Sequence, residues 1–129
     1  MEERIIEQFC TGKVACLSKT VQSEALDWND HPSFQGVALK HLVRGEDTNG
    51  QFSAHLVRVM AGCEIGQHTH PGKWELHEVV AGNGYGELLD KKIEYNAGTV
   101  IVLPADMQHR VVAGNESLYI LAKFVPALV

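Results

Sequence analysis

The chain has 129 residues, a net charge of −5 and an isoelectric point near 5.7. That length suits a single domain burying roughly two-thirds of its unfolded surface. The acidic balance leaves no basic stripe to neutralise phosphates, which argues against nucleic acid and against anionic membrane surfaces.

In chain order, the N-terminus (Met1-Glu2-Glu3-Arg4) lacks a signal-peptide pattern, and no run reaches the roughly 18 apolar residues of a membrane span. A cytoplasmic location is therefore expected. Residues 1–10, with Ile5, Ile6 and Phe9, suit one or two helical turns. From Gly36 onward the chain changes to short β-type runs, with strands expected near Val37–Arg44, Phe52–Met60, Glu64–His68, Trp74–Ala81, Gly84–Leu89, Thr99–Leu103, Gln108–Val112 and Leu118–Val125. Turn signals separate them, such as Asp47-Thr48-Asn49-Gly50, Pro71-Gly72, Gly82-Asn83-Gly84 and Asn96-Ala97-Gly98.

Short strands at this spacing predict one all-β domain, a small antiparallel barrel or sandwich over residues 36–129. Residues 1–35 read as an N-terminal extension packing on it. No helical pattern of useful length follows residue 10, which excludes βαβ folds and an attached helix-turn-helix. Cys10, Cys16 and Cys63 are odd in number and lack Cys-x-x-Cys spacing, so neither a disulfide framework nor a thiolate zinc site is expected. Val100-Ile101-Val102-Leu103 and Leu118-Tyr119-Ile120-Leu121 are apolar on both strand faces. Together with the apolar tail Val125–Val129, they predict a face covered by a second subunit, most simply in a homodimer.

His68 and His70 carry the most specific signal. Two apart in a strand, they share one face and can reach one ion; on a helix they would diverge by about 200°. Pro71-Gly72 then forces a turn, and Glu75 can face back to the same point. His109 must arrive from a later strand. Three imidazoles and one carboxylate suit a single divalent transition metal, with Fe, Mn, Ni, Cu and Zn all compatible.

These residues carry a resemblance to the cupin superfamily. Gly62-x5-His68-x-His70-x4-Glu75-x6-Gly82 is similar, position for position, to its first motif. Gly98, Pro104 and His109 resemble the second, G-x5-P-x-G-x2-H-x3-N, with Asp106 at the second glycine and Ala113 at the asparagine. Fifteen residues separate Gly82 from Gly98, as in compact single-domain cupins of the cupin 2 type. The resemblance covers roughly residues 54–125. It implies a small jelly-roll barrel with His68, His70, Glu75 and His109 as metal ligands. The two departures fall outside that ligand set, and Asp tolerates a left-handed backbone at 106.

His77 lies two residues after Glu75 and is expected on the same inward face, lining the cavity rather than ligating. It is the candidate catalytic residue, for proton transfer. His55 and His41 read as core or cavity histidines, and His31 as a loop residue. Trp74 and Tyr85 either wall the pocket or belong to the core. With neutral imidazoles a divalent ion leaves this site at a net charge of about +1, which favours an anionic or chelating oxygen ligand. The expected function is a small metalloenzyme acting on a small oxygen-rich metabolite, dioxygenase- or isomerase-like. A non-catalytic module that binds or senses a small molecule is the alternative.

Overall fold

Strand after strand alternates buried and exposed positions, and the strands stack as two facing antiparallel sheets. The computed structural model describes residues 2–129. Helix α1 (Glu2–Thr11) is followed by β1 (Lys13–Ala15), β2 (Thr20–Gln22), β3 (Trp28–Asp30), β4 (Val37–Val43), β5 (Ser53–Val59) and β6 (Glu64–His68). Then come β7 (Trp74–Ala81), β8 (Asn83–Leu88), β9 (Lys91–Asn96), β10 (Val100–Leu103), β11 (His109–Ala113) and β12 (Leu118–Val125). Six strands form one sheet in the order β10-β7-β12-β5-β4-β3, and four form the other, β6-β11-β8-β9. β1 and β2 pair separately. The architecture is a small single-domain jelly roll. Among the described residues no helix is long and apolar enough to cross a membrane.

All eight expected strands are present, with ends shifted by at most one residue. The helix over residues 1–10 is α1; Met1 lies outside the described residues. The extension contributes β3 to the edge of the large sheet, paired with β4. β9 carries no obvious strand pattern, because only Ile93 and Tyr95 turn inward among charged and polar neighbours. Its hairpin turn places Leu89, not a glycine, at φ +57°, so the usual turn chemistry is missing from the sequence as well.

The core lies between the sheets. Val57, Val79, Ile101, Ile120 and Phe124 of the large sheet meet Ile65, Tyr95 and Val111 of the small one. On the outer face of the large sheet, Ile6 of α1 is buried with Leu56 and Ala81, and Cys10, Trp28, Tyr119 and Leu121 pack around them. The double-faced apolarity of Leu118–Leu121 is thus satisfied within the chain: Leu118 and Ile120 face the core, while Tyr119 and Leu121 lie under α1. Val100 and Val102 differ. They stay 58% and 56% exposed on β10, the edge strand of the large sheet.

One lateral row of the large sheet is rich in histidine. His77 of β7 pairs with Ala122 of β12, Ala122 with His55 of β5, and His55 with His41 of β4. His55 is 0% exposed and is bonded through Nδ1 to His41 Nδ1 and through Nε2 to Ser53 Oγ, both at 2.8 Å. Burial, then the neighbouring His41, pushes its pKa down to about 4.

A buried neutral histidine makes stability depend on pH. Below the ordinary value of about 6.5 the unfolded chain takes up a proton that folded His55 refuses, so stability falls between there and about 4. The full effect is about 3 kcal/mol. His55→Gln keeps an acceptor and a donor but does not titrate. Urea unfolding from pH 7 down to pH 4 should lose stability more steeply in the native protein than in this variant.

Candidate metal centre

The candidate ligands come from both sheets. His68 ends β6 directly opposite His109, which begins β11. His70 sits in the loop after β6, beside the Pro71-Gly72 turn. Glu75 lies on β7 of the facing sheet, paired with Leu103 and Phe124. His68, His70 and His109 bring one ring nitrogen each to within 4.8 Å of one another. Glu75 stands beside this trio, with Oε1 3.3 Å from His109 Nε2 and 3.7 Å from His70 Nε2.

Backbone carbonyls set the ring tautomers. His68 Nδ1 lies 2.7 Å from the Gly66 carbonyl and His109 Nδ1 3.1 Å from that of Met107. A carbonyl only accepts, so each Nδ1 carries the proton and each Nε2 keeps a free electron pair. Burial pushes His68 down to about 4 and also lowers His70, so neither ring needs to shed a proton at neutral pH. Burial would raise the Glu75 carboxyl, but the neighbouring imidazoles, His77 with its Nε2–H first among them, outweigh it and hold the group below the usual carboxylate range.

The consequence is an unbalanced pair. Glu75 Oε1 and His109 Nε2 are both buried and without a hydrogen-bond partner among the described residues. Although 3.3 Å apart, they are two electron-pair donors whose angle makes no hydrogen bond, and they repel unless a cation lies between them. Three imidazoles and a carboxylate around that point are a donor set suited to a divalent transition metal.

Behind Glu75 stands a second layer. His77 Nε2 lies 2.7 Å from Glu75 Oε2, and His77 Nδ1 lies 2.9 Å from the Tyr95 hydroxyl. The carboxylate must accept, so Nε2–H donates to it and the tyrosine O–H donates to Nδ1. His77 reaches the cavity wall, as its spacing implied, but both ring nitrogens are engaged, so its readiest action is on Glu75. The spacing could not reveal Tyr95, whose strand is the unobvious β9. Gly86 makes room for it: a Cβ there would fall 2.6 Å from the Tyr95 ring. Trp74 and Tyr85 do not wall the cavity. Trp74 is half exposed, and Tyr85 lies under Lys92 and Arg110.

The two departures from the family motif are absorbed locally. Asp106 adopts φ +67°, the left-handed backbone expected of it. Its carboxylate also accepts the Gly72 N–H at 2.9 Å, tying the second motif's loop to the first. Asn83 takes over turn duties near Ala113, bonding Asn115 through its amide nitrogen. Cys63 packs against Gly36, away from the ligand cluster. The cluster opens on a cavity of about 350 Å³, whose walls include Val37, Leu39, Val57, Ile65 and Phe124. That is near the small end of ligand pockets.

Comparison with known proteins agrees with this fold. The Cupin_2 family model, "Cupin domain", matches residues 55–122. No curated protein matches the chain in sequence. Among solved structures, KdgF from Halomonas sp. is 24% identical, with 78% of this chain and 86% of that one covered at a TM-score of 0.68. A predicted oxalate decarboxylase from Thermotoga maritima is 22% identical, with 81% and 96% covered at 0.73. Ectoine synthase from P. lautus is 20% identical, with 80% and 71% covered at 0.69. The matched segment contains His68, His70, Glu75 and His109 in the barrel just described, and the chain belongs to the cupin domain family.

Proposed function

We propose that this cupin is a small metalloenzyme in which His68, His70, Glu75 and His109 hold one divalent transition metal next to a small anionic or chelating metabolite. The observation that carries the reading is the buried, unpartnered pair of Glu75 Oε1 and His109 Nε2, two electron-pair donors turned toward each other. When bound, such an ion supplies Lewis acidity at its open coordination positions and, for iron, manganese or copper, redox chemistry. Oxidative or isomerising reactions of oxygen-rich substrates fit that repertoire. Ectoine synthase and the predicted oxalate decarboxylase support an enzymatic reading by their names alone.

The residues divide the work. His68 and His109 present Nε2 because backbone carbonyls fix Nδ1–H. Glu75 supplies the one negative charge. His77 holds and orients the Glu75 carboxylate, and a proton moving through this pair would pass from His77 Nε2 to Glu75 Oε2, with the Tyr95 hydroxyl proton replacing it at Nδ1. The engagement of both His77 nitrogens also favours a second reading, a non-catalytic module that grips a carboxylate without transforming it. Binding with no loss of the bound compound over long incubation separates the two.

The exposed apolar group of Val102, Trp74, Phe52 and Val125 on the outer face supports a homodimer through the β10 edge. We place the protein in the cytoplasm, where Cys10, Cys16 and Cys63 remain free thiols.

Elemental analysis of protein purified without added metal or chelator should find near-stoichiometric iron, manganese, nickel, copper or zinc, lost in a His68→Ala/His70→Ala variant. No metal in the native protein, even after reconstitution, overturns the reading. His77→Ala should weaken metal affinity roughly tenfold to a hundredfold, and His77→Gln, which retains an N–H for Glu75, should restore most of it. Val102→Lys should shift sedimentation from dimer to monomer; a native protein that is already monomeric removes the dimer.

A further inference from the structure

Two buried polar groups, Ser53 and His55, take no part in the centre above, yet they end at a cavity residue. The Leu128 N–H lies 2.8 Å from Ser53 Oγ, Ser53 Oγ 2.8 Å from His55 Nε2, and His55 Nδ1 2.8 Å from His41 Nδ1. His41 borders the same cavity as His68, His70 and Glu75. It does so from a distance, since β4 lies three strands from β7 in the large sheet, roughly 14 Å at ordinary strand spacing.

The direction of this chain of bonds follows from burial. Ser53 and His55 are both 0% exposed. The Leu128 amide can only donate, so Ser53 Oγ accepts from it. The hydroxyl proton of Ser53 then has His55 Nε2 as its partner within reach, and a buried O–H left without an acceptor would be costly. His55 Nε2 therefore accepts, and neutral His55 carries its own proton on Nδ1. That proton is donated to His41 Nδ1, which leaves the His41 proton on Nε2. His41 Nε2 makes no hydrogen bond among the described residues.

We infer that His41, locked as an Nε2–H donor by Ser53 and His55, is a second recognition point of the cavity and reads an acceptor oxygen at the far end of the ligand. The wall that His41 shares with the candidate ligands is mostly apolar, with Val37, Leu39, Val57, Ile65 and Phe124, and Asn29, Asp30 and His31 also border it. The ligand class is therefore an elongated molecule with an anionic or chelating head, an apolar body and a distal carbonyl-type oxygen. This rests on the proposed metal centre for the head and narrows its substrate class. The small oxygen-rich metabolite becomes one whose oxygens sit at its ends. Both histidines stay neutral for this role, because burial lowers each of them.

Two measurements test the inference separately from the metal reading. Nitrogen-15 NMR of the histidine rings in metal-free protein should find His41 protonated at Nε2 and His55 at Nδ1. In Ser53→Ala, His41 should become a mixture of tautomers. His41 protonated at Nδ1 in the native protein overturns the assignment. Calorimetric titration of the zinc-loaded protein then compares a length ladder of plain fatty acids with their (ω−1)-keto counterparts. At one length the keto acid should bind roughly threefold to tenfold tighter, the worth of one hydrogen bond. His41→Phe should abolish that preference with zinc content unchanged, and His41→Gln, which still offers an N–H, should retain it. If fatty acids bind but no length shows the preference, or it persists in His41→Phe, the inference fails and the metal centre stands. If the protein binds zinc but neither series, the anionic-head reading fails and takes the inference with it.

Discussion

Two electron-pair donors held face to face in a water-poor interior govern the rest of this molecule. Glu75 Oε1 and His109 Nε2 come from opposite sheets, so their approach requires a closed barrel. Neither can turn away. His109 is tethered through Nδ1 to the Met107 carbonyl, and Glu75 through Oε2 to His77. In a low-dielectric site each of these bonds is stronger than in water, and the repulsion between the free donors is stronger too. The core packing on either side holds that arrangement, and a cation would relieve it.

Placing rings around such a point needs empty space in the strands. Two glycines provide it. A Cβ at Gly66 would fall 2.9 Å from the Phe34 ring, and one at Gly86 2.6 Å from Tyr95. Phe34 thereby lies against His68, and Tyr95 delivers its hydroxyl to His77. Strand glycines weaken a sheet in general. Here each is the counterpart of an aromatic ring that the site uses, so a local weakness in propensity becomes precision in the ring packed over it.

How much of this could be read from residues alone varies with how local each signal is. His68 and His70 were legible because a spacing of two fixes a shared face, and Glu75 and His109 because motif glycines frame them. Asp106 was legible as a left-handed turn residue, though its bond to Gly72 joins two distant loops and left no local trace. Tyr95 was not legible, since β9 is mostly polar and begins after a turn with leucine at positive φ. The apolar outer face of β12 was legible as a covered surface, while the cover is α1. Burial patterns announce that a face is hidden, but a short amphipathic helix and a second subunit hide it equally well. The roles of His41 and His55 were beyond reach because a hydrogen-bond direction depends on what surrounds a serine in three dimensions.

The two ends of the cavity are written in different parts of the chain. All four candidate ligands lie within residues 55–122, the segment that the family model matches. His41, Ser53 and Leu128 lie outside it, while His55 is its first residue. Most of the residues at the distal end can therefore change without touching a candidate ligand. A barrel of this kind can exchange β4 and its final residues for others, and so reshape the far wall of the cavity, while the candidate ligands keep their places.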